Sequence, residues 1–247
     1  MAEPEIDNQL EQMRRDWDQR ARENARYYVA TGQENWDDEE FFRSGQMELE
    51  CQVLNDLENI CQGKNPRKMK VLEIGCGAGR VTRALAAFFG EIYAVDISAE
   101  MVARAQRALE GFPNAHVFQN DGKDLAVVAR ALEGGRLRRL YRRLRGRDAS
   151  GRGEIDFAFS CIVFQHIPSR EIIENYVREV HALLRPGGLF KFQVQGYPEL
   201  EIKPNDSWVG VSFTEEQARD MAGRCGFDMR YNHGAGEQYY WLWFFKE

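Results

Sequence analysis

An acidic residue and three glycines stand at the end of the apolar run at residues 70–74, in a pattern that suits ligand binding. Glu73 lies near the end of the run at residues 70–74, and three alternating glycines, Gly75, Gly77 and Gly79, directly follow that run. Glycines after a strand let the backbone approach a ligand closely, and the helix that follows offers unpaired N–H groups. The pattern therefore predicts a ligand-binding turn between a strand and a helix.

Two further acids end later apolar runs. Asp96 follows residues 91–95 and lies 17 residues after Gly79, and Asp121 closely follows residues 115–119. A carboxylate at the end of the second strand can accept hydrogen bonds from both hydroxyls of an unphosphorylated ribose. An acid after the third strand lies at the same sheet edge, where it can meet an adenine amino group. The spacing thus favours a ligand that contains adenosine.

The glycine turn departs from two familiar nucleotide-binding patterns. The G-x-G-x-x-G fingerprint needs a third glycine where Arg80 stands when counted from Gly75, or where Thr82 stands when counted from Gly77. The phosphate loop G-x-x-x-x-G-K-[ST] is also missing from the sequence. A ligand without a pyrophosphate tolerates Glu73 beside the loop better than a dinucleotide does. A nicotinamide or flavin dinucleotide is therefore disfavoured.

Alternating strands and helices must position these residues. Hydrophobic patterning predicts strands at residues 70–74, 91–95, 115–119, 155–160, 189–194, 227–232 and 238–245. It predicts intervening helices at 81–89, 99–109, 124–132, 169–184 and 214–225, with Ser98 as an N-cap and a capping box at Thr214. Two more helices are predicted before the main domain, at 8–28 and from Asp37 or Asp38 to Ile60.

Regular alternation of this kind implies a parallel sheet covered by helices on both faces. The last two strands are too close in sequence for a parallel crossover, so they form an antiparallel hairpin. We predict an α/β fold with a doubly wound, mostly parallel seven-stranded sheet, a C-terminal antiparallel hairpin and an N-terminal helical cap. The cap spans residues 1–63 and the main domain spans 64–247, with an Arg-rich insertion at 134–153.

Five motifs in order carry a family resemblance: VLEIGCGAGRVTRALA, AVDISAEMVARAQ, FQNDGKDL, DFAFSCIVFQHI and LLRPGGLFKFQ. The chain resembles class I, Rossmann-like S-adenosylmethionine-dependent methyltransferases, particularly the small-molecule group that includes ubiquinone-biosynthesis-like enzymes. The resemblance is close over residues 69–195. It implies S-adenosylmethionine as the cofactor, S-adenosylhomocysteine as the product, and methyl transfer to an oxygen, nitrogen or carbon atom of a small-molecule acceptor.

The resemblance also implies a set of cofactor-binding residues. The methionine end is surrounded by Glu73, Gly75, Cys76, Gly77 and Gly79. Asp96 holds the ribose, the adenine lies beside Ile97 and Met101, and Asp121 meets the adenine amino group with Gly122 adjacent. The floor near the transferable methyl is lined by Ser160, Cys161 and Gln165.

His166 is the candidate catalytic residue. It follows the fourth strand, where an imidazole can take a proton from a hydroxyl or an amine. The alternative is that Gln165 and His166 only order the loop. The aromatic residues Trp17, Tyr27, Tyr28 and Trp36 either cover the mouth of the site or form the core of the helical cap. The sequence has no H-x-x-x-H motif or cysteine cluster, so no metal site is expected.

Charge is unevenly distributed along the chain. The net charge of −6 argues against a general nucleic-acid binder, and no DNA partner is expected. Residues 134–152 nevertheless hold eight Arg and one Asp, a local charge of +7. Arg136–Arg147 forms an amphipathic basic segment that suits an anionic surface or partner, or else a solvated helix that packs its leucines on its own domain.

Alternative functions remain open at this stage. One is a methyltransferase that acts on tRNA or protein docked through the Arg-rich insertion, although Ser160-Cys161-Ile162-Val163 stands where amino-group nucleic-acid methyltransferases carry [DNS]-P-P-[FYW]. Another is a non-catalytic cofactor-binding protein. Five scattered cysteines and the absence of a signal-like N-terminus or an apolar span indicate a reduced, cytoplasmic protein. The sequence leaves the oligomeric state open.

Overall fold

The computed structural model describes residues 3–134, 152–197 and 207–247. Eight α-helices lie in these ranges: α1 (Glu3–Val29), α2 (Asp38–Gln52), α3 (Leu57–Cys61), α4 (Arg80–Phe88), α5 (Ala99–Ala108), α6 (Ala126–Glu133), α7 (Arg170–Leu183) and α8 (Glu215–Arg224). Their starts follow the capping signals of the sequence. Ser98 accepts a hydrogen bond from the N–H of Met101, and Thr214 forms the predicted capping box with Gln217.

Seven strands form one sheet in the order β3-β2-β1-β4-β5-β7-β6. They are β1 (Lys70–Ile74), β2 (Glu91–Asp96), β3 (Ala115–Gln119), β4 (Ile155–Ser160), β5 (Leu184–Val194), β6 (Phe227–His233) and β7 (Tyr240–Lys246). The first five strands pair in parallel, whereas β7 is antiparallel to both β5 and β6. The predicted fold class and its C-terminal antiparallel hairpin are confirmed.

Three predicted boundaries differ from the structure by five residues or more. Helix α1 begins at Glu3 rather than at residue 8. The helix predicted to reach Ile60 ends at Gln52, and a 3₁₀ turn at Leu54–Asp56 leads into α3. Strand β5 begins at Leu184, before the Pro-Gly-Gly that was predicted to separate helix from strand. The β4–β5 register shifts between Ile155 and Phe157, and this irregularity accommodates the proline because it interrupts the regular ladder.

The N-terminal helices pack directly on the sheet domain. Leu10 and Met13 of α1 are buried in the same apolar cluster as Leu72 and Val95 of the sheet. Helix α2 lies so close to α4 that a Cβ on Gly45 would be 2.1 Å from the carbonyl oxygen of Arg80, a contact that only glycine permits. The domain boundary after residue 63 stays a prediction. Within the described ranges, no helix is both long enough and apolar enough to cross a membrane.

The strand order reverses between β1 and β4, which creates a crevice at the carboxyl ends of these strands. The glycine turn, Asp96 and the loop after β4 all meet at this edge because they follow β1, β2 and β4 in sequence. The fold therefore brings together several of the residues that the sequence identified as candidates.

Candidate active site

Two adjoining cavities lie at this edge of the sheet. The inner cavity is lined mainly by the turn after β1, the end of β2, the loop after β4 and helix α1, including Trp17, Tyr28, Glu73, Gly75, Cys76, Gly77, Asp96, Ile97, Met101, Asn120, Cys161, Ile162, His166 and Tyr176. The outer cavity is lined by Tyr28, Val29, Thr31, Ile162, Gln165, His166, Gln195, Tyr197, Trp208, Val209, Gln238 and Tyr239. Four residues, Tyr28, Val29, Ile162 and His166, border both cavities.

The glycine turn has a shape that side chains would block. Gly75, Gly77 and Gly79 all have positive φ, at 74°, 52° and 85°. A Cβ on Gly75 would lie 2.2 Å from a methyl carbon of Val163, and one on Gly77 would lie 2.7 Å from a methyl carbon of Val29. The turn is therefore specific to glycine on steric grounds, and Gly75 and Gly77 border the inner cavity whereas Gly79 does not line it.

Asp96 ends β2 and is held rigidly by the turn beside it. One carboxylate oxygen accepts the Gly77 N–H at 2.8 Å, and the other accepts the Ser98 N–H at 2.9 Å. Burial raises the pKa of Asp96 to about 6, although these two N–H groups oppose the shift. Each oxygen of a carboxylate has a second lone pair, so both can still accept a hydroxyl from a ligand.

Glu73 is a deeply buried acid in the lining of the inner cavity. Its side chain is only 4% exposed, and its Oε2 has no hydrogen-bond partner among the described residues. Burial raises the pKa of Glu73 to about 7, although the neighbouring Thr82 hydroxyl and Arg80 guanidinium oppose the shift. Buried polar atoms without partners are rare in proteins, and one in the lining of a cavity suits a ligand that donates a hydrogen bond. An ammonium group is the donor that best matches a carboxylate there.

The remaining predicted cofactor residues divide between the inner cavity and its surroundings. Cys76, Ile97, Met101 and Cys161 line the inner cavity. Burial raises the pKa of both thiols well above the usual range, so both sulfurs stay protonated. The sulfur of Cys161 also lies 3.3 Å from a carboxylate oxygen of Glu48.

The region after β3 differs from the sequence-based expectation. Asn120, rather than Asp121, lines the inner cavity, where its amide donates to the Tyr176 hydroxyl at 2.7 Å. Asp121 is exposed and accepts the backbone N–H of Lys123 at 2.9 Å. It borders a neighbouring surface depression beside α1, and Gly122 packs against Leu10 of that helix. The adenine contact assigned to Asp121 stays a prediction.

Ser160 and Gln165 lie around the inner cavity but are not among the residues that line it. Ser160 is buried, and its hydroxyl donates to the Ile74 carbonyl at 2.9 Å, which ties β4 to β1. Gln165 lines the outer cavity instead. His166 borders both cavities and packs between the rings of Trp17 and Trp208, at centroid distances of 5.3 and 4.9 Å.

Helix α1 covers the inner cavity at the carboxyl ends of the strands. Trp17 and Tyr28 line the cavity, whereas Trp36 packs on Phe41. Trp17 also contacts the apolar cluster that contains Phe41. The helix is fastened at two points, because Asp18 accepts the Ser98 hydroxyl at 2.6 Å and Asp16 accepts the Ser207 hydroxyl at 2.7 Å. The N-terminal aromatic residues therefore divide between the two predicted roles. Trp17 and Tyr28 border the site, and Trp36 packs in the core of the N-terminal helices.

Sequence reasoning missed Asn120, Tyr176 and the polar side chains of β5. Lys191 and Gln193 lie on this apolar strand and Gln195 directly follows it, and all three are buried. Polar residues on the buried face of a central strand were the signal available in the sequence. Across the described ranges, no three histidine, cysteine or acidic side chains cluster closely enough to hold a metal ion.

The seven-stranded sheet with its antiparallel C-terminal hairpin has the architecture of class I, Rossmann-like methyltransferases. Residues 72–190 match the family model described as a methyltransferase domain, so this part of the chain is a methyltransferase domain. The resemblance seen in the sequence, to S-adenosylmethionine-dependent methyltransferases, is confirmed. No curated protein sequence matches the chain significantly.

Three solved structures illustrate the likeness. Magnesium protoporphyrin IX methyltransferase (ChlM) from Synechocystis with bound SAM is 17% identical with a TM-score of 0.62, over 97% of each chain. A SAM-dependent methyltransferase from Aquifex aeolicus is 16% identical with a TM-score of 0.52, over 86% of this chain and 100% of its own. A phosphoethanolamine N-methyltransferase from Haemonchus contortus is 19% identical with a TM-score of 0.52, over 74% of this chain and 39% of its own. At these identities the likeness defines the fold.

Proposed function

We propose that this protein transfers a methyl group from S-adenosylmethionine to an oxygen, nitrogen or carbon atom of a small-molecule acceptor. The observation that carries the proposal is the pair of adjoining cavities. The inner one offers a buried carboxylate at Glu73 with one unpartnered oxygen and a rigid carboxylate at Asp96, and it meets the outer one at Ile162 and His166. This arrangement suits a cofactor bound against an acceptor.

The residues of the inner cavity fit S-adenosylmethionine. Glu73 and the turn at Gly75–Gly77 would hold the amino acid end, because an ammonium group satisfies the unpartnered carboxylate oxygen. Asp96 would accept the ribose hydroxyls. Ile97 and Met101 would supply apolar contacts for the adenine. The absence of a pyrophosphate in this cofactor agrees with the acidic side chain at position 73.

The bound cofactor supplies a strongly electrophilic methyl group, so the protein contributes mainly alignment and exclusion of water. Helix α1 covers the inner cavity with Trp17 and Tyr28, which limits access of water. His166 stands at the border of the two cavities, where an imidazole can take a proton from a hydroxyl or amine acceptor. Its role as the base is part of the proposal.

The outer cavity is the proposed acceptor site. Tyr28, Tyr197, Trp208 and Tyr239 provide aromatic surface, and Gln195 and Gln238 provide amide groups for orientation. The ChlM enzyme named above acts on magnesium protoporphyrin IX, and the Haemonchus enzyme is in complex with phosphomonomethylethanolamine, so proteins of this fold accept small molecules of quite different chemistry. The Arg-rich insertion that would dock a macromolecule lies almost entirely outside the described residues.

Labelled methyl transfer tests the proposal. The protein would be incubated with methyl-labelled S-adenosylmethionine and a cell extract that has been separated by dialysis into small molecules and macromolecules. We expect label in a dialysable product only when the small-molecule fraction is present. Label in RNA or protein would favour a macromolecular acceptor. S-adenosylhomocysteine binding without transfer to either fraction would favour a non-catalytic role.

A further inference from the structure

A buried chain of hydrogen bonds runs from the loop after β4 to the outer cavity. The Ile162 N–H donates to Gln193 Oε1 at 3.0 Å, and Gln193 Nε2 donates to Gln165 Oε1 at 2.8 Å. Gln165 Nε2 lies 3.2 Å from His166 Nε2, and His166 Nδ1 lies 2.5 Å from the carbonyl oxygen of Trp208. We call this chain the amide relay.

The direction of the amide relay is fixed at both ends. A backbone N–H can only donate, so Gln193 must turn its oxygen to Ile162 and its NH₂ group to Gln165. Gln165 must then turn its NH₂ group to His166, and His166 Nε2 must accept. At the other end a carbonyl oxygen can only accept, so His166 Nδ1 must carry the proton. Both ends require the same tautomer, with the proton on Nδ1.

The environment makes this arrangement hard to replace. Gln193, Gln165 and His166 are 1%, 5% and 6% exposed, so water has little access to correct a mismatched donor or acceptor. Among the described residues, the charged groups around this loop include Arg20, whose guanidinium stacks on Trp17 and Trp208, and Asp16, which accepts the Ser207 hydroxyl. The relay also accepts a hydrogen bond from the N–H of Ile162, whose positive φ of 57° is uncommon for a residue other than glycine.

We propose that Gln193 and Gln165 are positioning residues that fix the Nδ1–H tautomer of His166, so that Nε2 is the nitrogen that receives the acceptor's proton. The proposal rests on the proposed function. An acceptor X–H takes the place of the Gln165 amide at Nε2 and passes its proton there. The electron pair of X forms the new bond to the methyl carbon, and the pair of the broken carbon–sulfur bond stays on sulfur. His166 leaves the step as an imidazolium.

The tautomer can be read without turnover. In protein labelled with ¹⁵N-histidine at pH 7.5, long-range ¹H–¹⁵N spectra distinguish protonated from unprotonated ring nitrogens, and His166→Gln assigns the signal among the four histidines. We expect His166 to carry its proton on Nδ1. His116 is the internal control, because its Nε2 lies 2.7 Å from a Glu91 carboxylate oxygen and must carry a proton. A wild-type His166 with its proton on Nε2, or averaged over both nitrogens, would overturn the proposal.

A near-isosteric variant tests the relay itself. In Gln193→Glu the carboxylate still accepts from Ile162 but cannot donate, so the Gln165 amide turns over and presents its oxygen to His166. We then expect a proton on Nε2 as well, since Trp208 still requires one on Nδ1. Gln106→Glu, at an amide that donates to the Val117 carbonyl away from the relay, should leave His166 unchanged. An unchanged His166 spectrum in folded Gln193→Glu protein would contradict the assignment of Gln193.

Activity gives a second, separable readout. Gln193→Leu should lower turnover by about tenfold or more, because general-base catalysis requires the correct nitrogen to be unprotonated. The affinity for S-adenosylhomocysteine should stay within about twofold, since Gln193 is not among the residues that line the inner cavity. Normal turnover in Gln193→Leu would overturn the positioning role even if cofactor binding and methyl transfer are both established.

Discussion

Replacing Asp96 by alanine should weaken S-adenosylhomocysteine binding by about a hundredfold. In the ligand-free protein the Asp96 carboxylate accepts the N–H groups of Gly77 and Ser98, and it keeps one further lone pair on each oxygen for the two ribose hydroxyls. A hydrogen bond to a charged group contributes about 1.5–3 kcal/mol. Loss of two such bonds therefore costs at least about 3 kcal/mol, which corresponds to roughly a hundredfold in Kd.

Isothermal calorimetry at pH 8 measures this change directly. Asp228→Ala is the matched control, because this aspartate lies on β6, has a 45% exposed side chain and pairs with the nearby Arg230 at 2.9 Å. The control should bind as wild type does. Because burial raises the pKa of Asp96 to about 6, wild-type affinity should also fall as the pH drops through that value and the carboxylate is protonated. A folded Asp96→Ala protein that binds within threefold of wild type would refute the ribose assignment.

Three other predictions follow from the same site. Glu73→Gln should raise the melting temperature of the ligand-free protein at pH 8 yet weaken cofactor binding. The pKa of Glu73 rises from 4.5 to about 7 on folding, so the ionised side chain destabilises the folded state. This loss of folding free energy grows as the pH rises between these two values and is at most about 3 kcal/mol above them. A melting temperature that is lower in the variant at pH 8 would contradict this reasoning. His166→Ala should lower turnover about a hundredfold while calorimetry shows unchanged cofactor affinity, and a near-normal rate would leave His166 as a loop-ordering residue. Replacing residues 134–153 by a short Gly-Ser link should preserve folding and S-adenosylhomocysteine binding, and if the insertion meets an anionic partner, the intact protein should bind acidic vesicles or RNA in a manner that weakens steeply with salt. Loss of folding in the deletion variant would show that the segment belongs to the core.

The sequence predicted the parts of the site that depend on local chemistry. The turn at Gly75–Gly79 could be found because only glycine fits its positive φ values, and Asp96 could be found because a strand places its last residue at the sheet edge. The order of the elements also defined the fold class, since regular alternation of strands and helices permits few topologies.

The parts that depend on tertiary packing were harder to predict. Whether Trp17 faces the site or the core depends on how α1 packs on the sheet, and its spacing alone fits both. Asn120 and Asp121 are adjacent, and only the path of the chain after β3 determines which one borders the cavity. The amide relay joins Gln193 on β5 to a loop about 30 residues earlier, a contact that no local pattern specifies.

The most direct test of the proposed function is a crystal structure of the protein with S-adenosylhomocysteine bound. We expect one ligand per chain in the inner cavity, with its ribose hydroxyls on the Asp96 carboxylate, its amino group on Glu73 and its sulfur facing the outer cavity beside His166. A ligand that binds elsewhere, or whose sulfur faces away from the outer cavity, would contradict methyl transfer to an acceptor at that site.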